Sequence, residues 1–120
     1  MKKIIIILCF FLFIGCGKKM EYQNIQVKEI NALLEEHAFL LDVRSELEFS
    51  NGHIENATNI DVEKLEQNVE DLIPNKERKI IVYCQSGNRS VRASEILMKL
   101  GYQNVYNVVG GYGAYLNEVK

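Results

Sequence analysis

A chain of 120 residues, 48% hydrophobic and 25% charged, has length for one compact core and not for two. Its formal net charge of −2 and the lack of any basic stripe exclude a general attraction for nucleic acid.

The N-terminus reads first as a leader. "MKK" is a basic start, and Ile4 to Ile14 is an unbroken apolar run of 11 residues, followed by "GCGKK" with small residues around Cys16. A membrane-spanning helix needs about 20 apolar residues, so the run has the length of a signal-peptide core instead. "FIGC" resembles the lipobox of bacterial lipoproteins, with Phe13 where leucine more often stands. That resemblance implies a signal peptide over 1–15, cleavage before Cys16, lipid on Cys16 and an exported domain anchored to a membrane of the cell envelope. An ordinary secretory signal cut nearby, or an uncleaved anchor, is the other reading. Loss of residues 1–15 leaves 12 basic against 16 acidic residues. It also leaves Cys84 as the sole cysteine beyond the processing site, so no disulfide forms inside the domain.

After a polar tether over 16–24, the domain is expected over 25–120. "VKEINALLEEH" sets Val27, Ile30, Leu33 and Leu34 at helical spacing, and "AFLLDV" is an apolar run of the kind a doubly buried strand presents. "SELEFSNGH" predicts a short helix closed by Asn51 and Gly52, both tolerant of positive φ. "ATNI" predicts a short strand, and "DVEKLEQNVEDLIP" a helix capped by Asp61 and stopped by Pro74. "KIIVYC" is a β-branched strand, "SVRASEILMKLG" a helix ending at Gly101, "NVYNV" a strand and "GAYLNEV" a terminal helix. Strands and helices alternating at these lengths predict an α/β fold, a parallel sheet covered on both faces. The crevice of such a sheet lies at the carboxyl ends of its strands, where "DVR" and "CQSGNRS" stand.

If "CQSGNRS" curls over Cys84 before the helix, its amides converge on the sulfur and the helix N-terminus adds a positive dipole end. Both favour thiolate. Gly87 permits the tight turn, and Arg89 offers an incoming anion a fixed charge. A cysteine at a strand end is, by itself, more often an inert buried thiol. The pattern that follows argues otherwise. Glycine, arginine and serine at the third, fifth and sixth places after a cysteine coincide about once in several thousand on average residue usage.

"LLDVRSELEFSNGHIENATNI", "IIVYCQSGNRS" and "LMKLGYQNVYNVVGGYGAY", in this order, resemble a single-domain rhodanese, the sulfurtransferase family. The resemblance implies a three-layer fold with a mainly parallel sheet of about five strands. It makes Cys84–Arg89 the active-site loop, with Cys84 and Arg89 catalytic and Gln85, Ser86, Gly87, Asn88, Asp42 and Arg44 about the substrate. It implies that Cys84 takes the outer sulfur of a donor such as thiosulfate as a persulfide and yields it to cyanide or a thiol, which a partner protein can supply. No cofactor or metal is expected. Covalent catalysis fits, because it splits one transfer into two easier displacements.

Asp42 is expected to pair with an arginine rather than act as a base, since a thiolate needs no proton removed. His53 is expected to hold a turn, His37 to be solvated, and Tyr112 and Tyr115 to pack. "VGGYGAY" matches neither GxGxxG nor a Walker loop and reads as a tight turn before the last helix. Two rivals stand beside sulfur transfer. One is a rhodanese-like binding or regulatory module. The other is a phosphatase or arsenate reductase on the same scaffold, against which the four residues between Cys84 and Arg89 argue. Dual-specificity phosphatases of related fold place five there, with histidine before the cysteine.

Overall fold

The computed structural model describes residues 21–120. The leader over 1–15, Cys16 and the first part of the tether lie outside the described residues.

Five parallel strands form one sheet in the order β1-β5-β4-β2-β3. They are β1 (Gln23–Ile25), β2 (Phe39–Asp42), β3 (Thr58–Asn59), β4 (Lys79–Tyr83) and β5 (Asn104–Val108). The helices are α1 (Ile30–Glu35), α2 (Glu46–Ser50), α3 (Leu65–Leu72), α4 (Asn88–Lys99) and α5 (Gly111–Glu118). Short 3-10 turns at Val27–Glu29 and Val62–Lys64 lead into α1 and α3. Among the described residues no helix is long and apolar enough to cross a membrane.

Alternation along the strands divides the core into two. Leu41, Val43, Ile80, Val82 and Val105 pack with Leu65 and Val69 of α3 and Ala93 and Leu97 of α4. Leu40, Ile81, Tyr83 and Val108 face the other way, against Ile30 of α1, Ile54 and the partly buried Tyr112 and Tyr115 of α5. Side chains at i and i+2 share a face of a strand, so "KIIVY" alone serves both layers. The three-layer α/β fold expected from the sequence is the one observed.

Three local differences have physical causes. β1 takes in Gln23 and Asn24, assigned above to the tether; the strand is short, at the edge, and buries only Ile25. Asn51 keeps a right-handed conformation, while Gly52 carries the positive φ that ends the turn after α2. Asp61 does accept a hydrogen bond at a helical start, from the amide of Glu63, but what it caps is the 3-10 turn ahead of α3.

Candidate active site

The sheet's central strand, β4, ends at Tyr83, and Cys84 follows it into the turn that opens α4. Gly87 sits at φ 121°, which brings the chain back over the sulfur. The amides of Gly87 and Ser90 donate to Cys84 Sγ at 3.1 and 3.2 Å, and the Ser90 hydroxyl lies 3.4 Å away. Cys84 is 1% exposed. Burial pushes the thiol up, but the Ser90 hydroxyl and the amides of Ser90, Gly87 and Ser86 outweigh it and hold the thiol below its ordinary value. The positive end of the α4 dipole acts in the same direction.

Backbone from the far end of the chain closes the loop from behind. Tyr112 N–H donates to the carbonyl of Cys84 at 2.7 Å, and Gly113 N–H to that of Gln85 at 3.0 Å. A Cβ on Gly111 would stand 2.3 Å from the Cys84 carbonyl oxygen. The glycine-rich turn before α5 is therefore part of the loop's support as well as a turn.

Asp42 and Arg44 lie beneath the loop, 0% and 2% exposed. The Arg44 guanidinium meets the Asp42 carboxylate at 2.8 Å, donates to the Gly52 carbonyl at 2.7 Å and reaches Gln85 Oε1 at 3.3 Å. Its central carbon, Cζ, lies 4.4 Å from the centre of the Tyr112 ring. Burial opposes the charge on Arg44, and the ion pair with Asp42 more than restores it. The pair thus acts on the loop through Gln85 rather than from the solvent side. Burial, reinforced by the Asp42 carboxylate, pushes the neighbouring Tyr83 hydroxyl well up, so it stays a neutral acceptor for Ile54 N–H at 3.1 Å.

Ser86 and Asn88 are exposed on the outer rim of the loop, with Gln85, Gly87 and Arg89 half-buried. Arg89 does not stand open as the sequence suggests. Its Nη1 and Nη2 grip both carboxylate oxygens of Glu48 at 2.8 and 3.1 Å. Glu48 is the third residue after the α2 cap, where it also accepts from Ser45 N–H at 2.9 Å. Arg89, opposed by burial and helped by Ser45, holds the Glu48 carboxyl down at about 2.

The sequence alone does not mark Glu48 or Ser90 as site residues. Ser90 had a signal, its fixed place six residues after Cys84; Glu48 lies 41 residues from Arg89 and reads locally as a cap. His53 accepts no site role: its Nδ1 lies 2.9 Å from the Phe49 carbonyl, with the rings stacked at 3.7 Å. His37 is exposed beyond α1. Among the described residues no group of three or more His, Cys, Asp or Glu side chains could hold a metal ion.

Comparison with known proteins agrees with this architecture. The human single-domain sulfurtransferase TSTD1 superposes with a TM-score of 0.71 at 30% identity, over 79% of this chain and 96% of that one. A rhodanese-related protein from Thermoplasma volcanium gives 0.71 at 31% identity, over 81% and 93%. The tRNA uridine(34) hydroxylases of Hamiltonella defensa and Escherichia coli are 33% identical over 103 residues, 82% of this chain. The chain spans 29% of the length of those hydroxylases. Residues 26–118 match the family described as Rhodanese-like domain, and to that family the chain belongs.

Proposed function

We propose that the domain is a sulfurtransferase that carries sulfane sulfur as a persulfide on Cys84. One observation carries the reading: the Cys84 sulfur accepts two backbone N–H groups, at 3.1 and 3.2 Å, at the start of a helix. A cradle of that kind stabilises negative charge on sulfur before attack, and again on the outer sulfur of the persulfide.

The thiolate attacks the sulfane sulfur of a donor such as thiosulfate. One S–S bond forms to Cys84, the donor's S–S bond breaks, and its electron pair leaves on sulfite. Cyanide or a thiol then takes the outer sulfur and returns the thiolate. No base is needed, in keeping with an Asp42 that is buried and already committed to Arg44. Membership of the rhodanese-like family and the likeness to a human sulfurtransferase support the same chemistry. A partner protein's thiol is a fitting acceptor. The tRNA activity named for the hydroxylases belongs to much longer proteins, of which the match covers 29%.

Thiosulfate treatment is expected to add the mass of one sulfur atom to the protein, removable by cyanide or dithiothreitol and absent in Cys84→Ser. Phosphate release from an aryl phosphate with no sulfur uptake would overturn the reading in favour of a phosphatase. An unchanged mass across a panel of sulfur donors would favour a binding module.

The proposal includes a place of action: the outer face of a membrane, through lipid on Cys16. The basic start, the apolar run and "FIGC" support it. Fatty-acid labelling of cells is expected to mark the wild-type chain and not Cys16→Ala; equal labelling of the two would refute the anchor.

A further inference from the structure

The loop from Cys84 to Ser90 contains one charged residue, Arg89, and its guanidinium is gripped by Glu48 through both nitrogens. The other guanidinium that reaches the loop, Arg44, is closed upon Asp42. One turn along α4, Arg92 is paired with Glu63 at 2.9 Å. Asp61 also bears on the charge of Arg89, and Glu46 stands exposed in the first turn of α2. Lys64, which lines a pocket with Glu46 and Asp61, makes no ion pair among the described residues, but those two carboxylates outnumber it. The mouth of the site therefore carries no net positive charge, and the thiolate adds a negative charge of its own.

We infer that Glu48 is a specificity-determining residue acting through Arg89: by occupying the guanidinium it biases Cys84 towards sulfane-sulfur donors of one negative charge or none, and against the thiosulfate dianion. The inference rests on the persulfide reading and names the donor class within it. Glu48 is not among the hydrogen-bond partners of the Cys84 sulfur, which are Gly87 and Ser90. It sets how much positive charge Arg89 presents to an approaching anion. A dianion meeting a thiolate across a mouth without net positive charge is repelled about twice as strongly as a monoanion.

Thiosulfate and methanethiosulfonate test this, because both deliver the same sulfur and differ by one charge. With the second donor the new S–S bond forms to Cys84, the old one breaks and the electron pair leaves on methanesulfinate. Cyanide then removes the outer sulfur as thiocyanate. In the Glu48→Gln chain the glutamine still accepts from Ser45 N–H, so the α2 cap is kept. That variant is expected to gain about tenfold in kcat/KM for thiosulfate, through KM with kcat little changed, and distinctly less for methanethiosulfonate.

The wild-type chain alone gives a second readout. Added salt screens repulsion, so its KM for thiosulfate should fall as ionic strength rises. A KM that climbs with salt, or a donor ratio that Glu48→Gln leaves unchanged, would overturn the assignment of Glu48 while sulfur transfer stands. If neither donor loads Cys84, the persulfide reading fails and this one fails with it.

Discussion

Gly111 lies against the carbonyl of Cys84 so closely that a Cβ there would sit 2.3 Å from the oxygen, and 2.9 Å from both the carbonyl carbon and oxygen of Gln85. Its φ of 58° is also one that side-chain-bearing residues rarely adopt. All the blocking atoms are backbone, so no side chain can swing aside. Gly111→Ala is expected to cost about 3 kcal/mol in a urea titration and to abolish sulfur loading of Cys84. A variant as stable and as readily loaded as wild type would show that the turn and the loop are independent.

Alkylation by iodoacetamide reports the thiolate directly. With the thiol held below its ordinary value, the rate should rise through a midpoint below that of a free cysteine. Ser90→Ala removes the hydroxyl 3.4 Å from the sulfur and keeps the amide, so the reaction near neutral pH is expected to slow about tenfold. A midpoint at or above the ordinary thiol value would show that burial wins.

The buried pair beneath the loop should be costly to break and cheap to replace. Asp42→Ala strands the Arg44 guanidinium, 2% exposed, and is expected to lose roughly 3–5 kcal/mol. The double change Asp42→Leu with Arg44→Met removes both charges and should recover much of that loss. Urea midpoints of the two variants decide it; equal losses would mean that the ion pair itself, and not the stranded charge, carries the energy.

Glu48 links stability to acid. Its carboxyl titrates near 2 in the fold against an ordinary 4.5. A depressed acid stabilises the folded chain fully above the unfolded value, and that contribution disappears as pH falls from about 4.5 towards 2. Melting curves of wild type and Glu48→Gln are expected to differ at pH 6 and to converge near pH 2.5. A gap independent of pH would place the effect in the helix cap rather than in the ion pair.

These four sites differ in how far the sequence displays them. The cradle around Cys84 is contiguous, so glycine, arginine and serine at fixed offsets announce it. β2 and β4 stand out as apolar runs because helices cover both their faces. β1 and β3 do not stand out in the same way. They are edge strands of 3 and 2 residues, and what makes them strands is a neighbour's backbone rather than their own side chains. Glu48 is hidden for a related reason: its capping role is local and readable, while its grip on Arg89 exists only after β2 and β4 have paired. Gly111 could be recognised as a turn residue, but not that the turn lies against the nucleophile.

The strand order carries a consequence for the timing of synthesis. β4 is flanked by β2, made before it, and by β5, made after it, and the amides that hold the Cys84 and Gln85 carbonyls come later still, from Tyr112 and Gly113. A growing chain has therefore exposed its cysteine well before it owns the residues that fix the loop. Until the last helix joins, the carbonyls of Cys84 and Gln85 lack the amides that hold the loop in place. Whatever environment the chain crosses in that interval must leave the thiol reduced, because an oxidised sulfur would meet a cradle shaped for a thiolate.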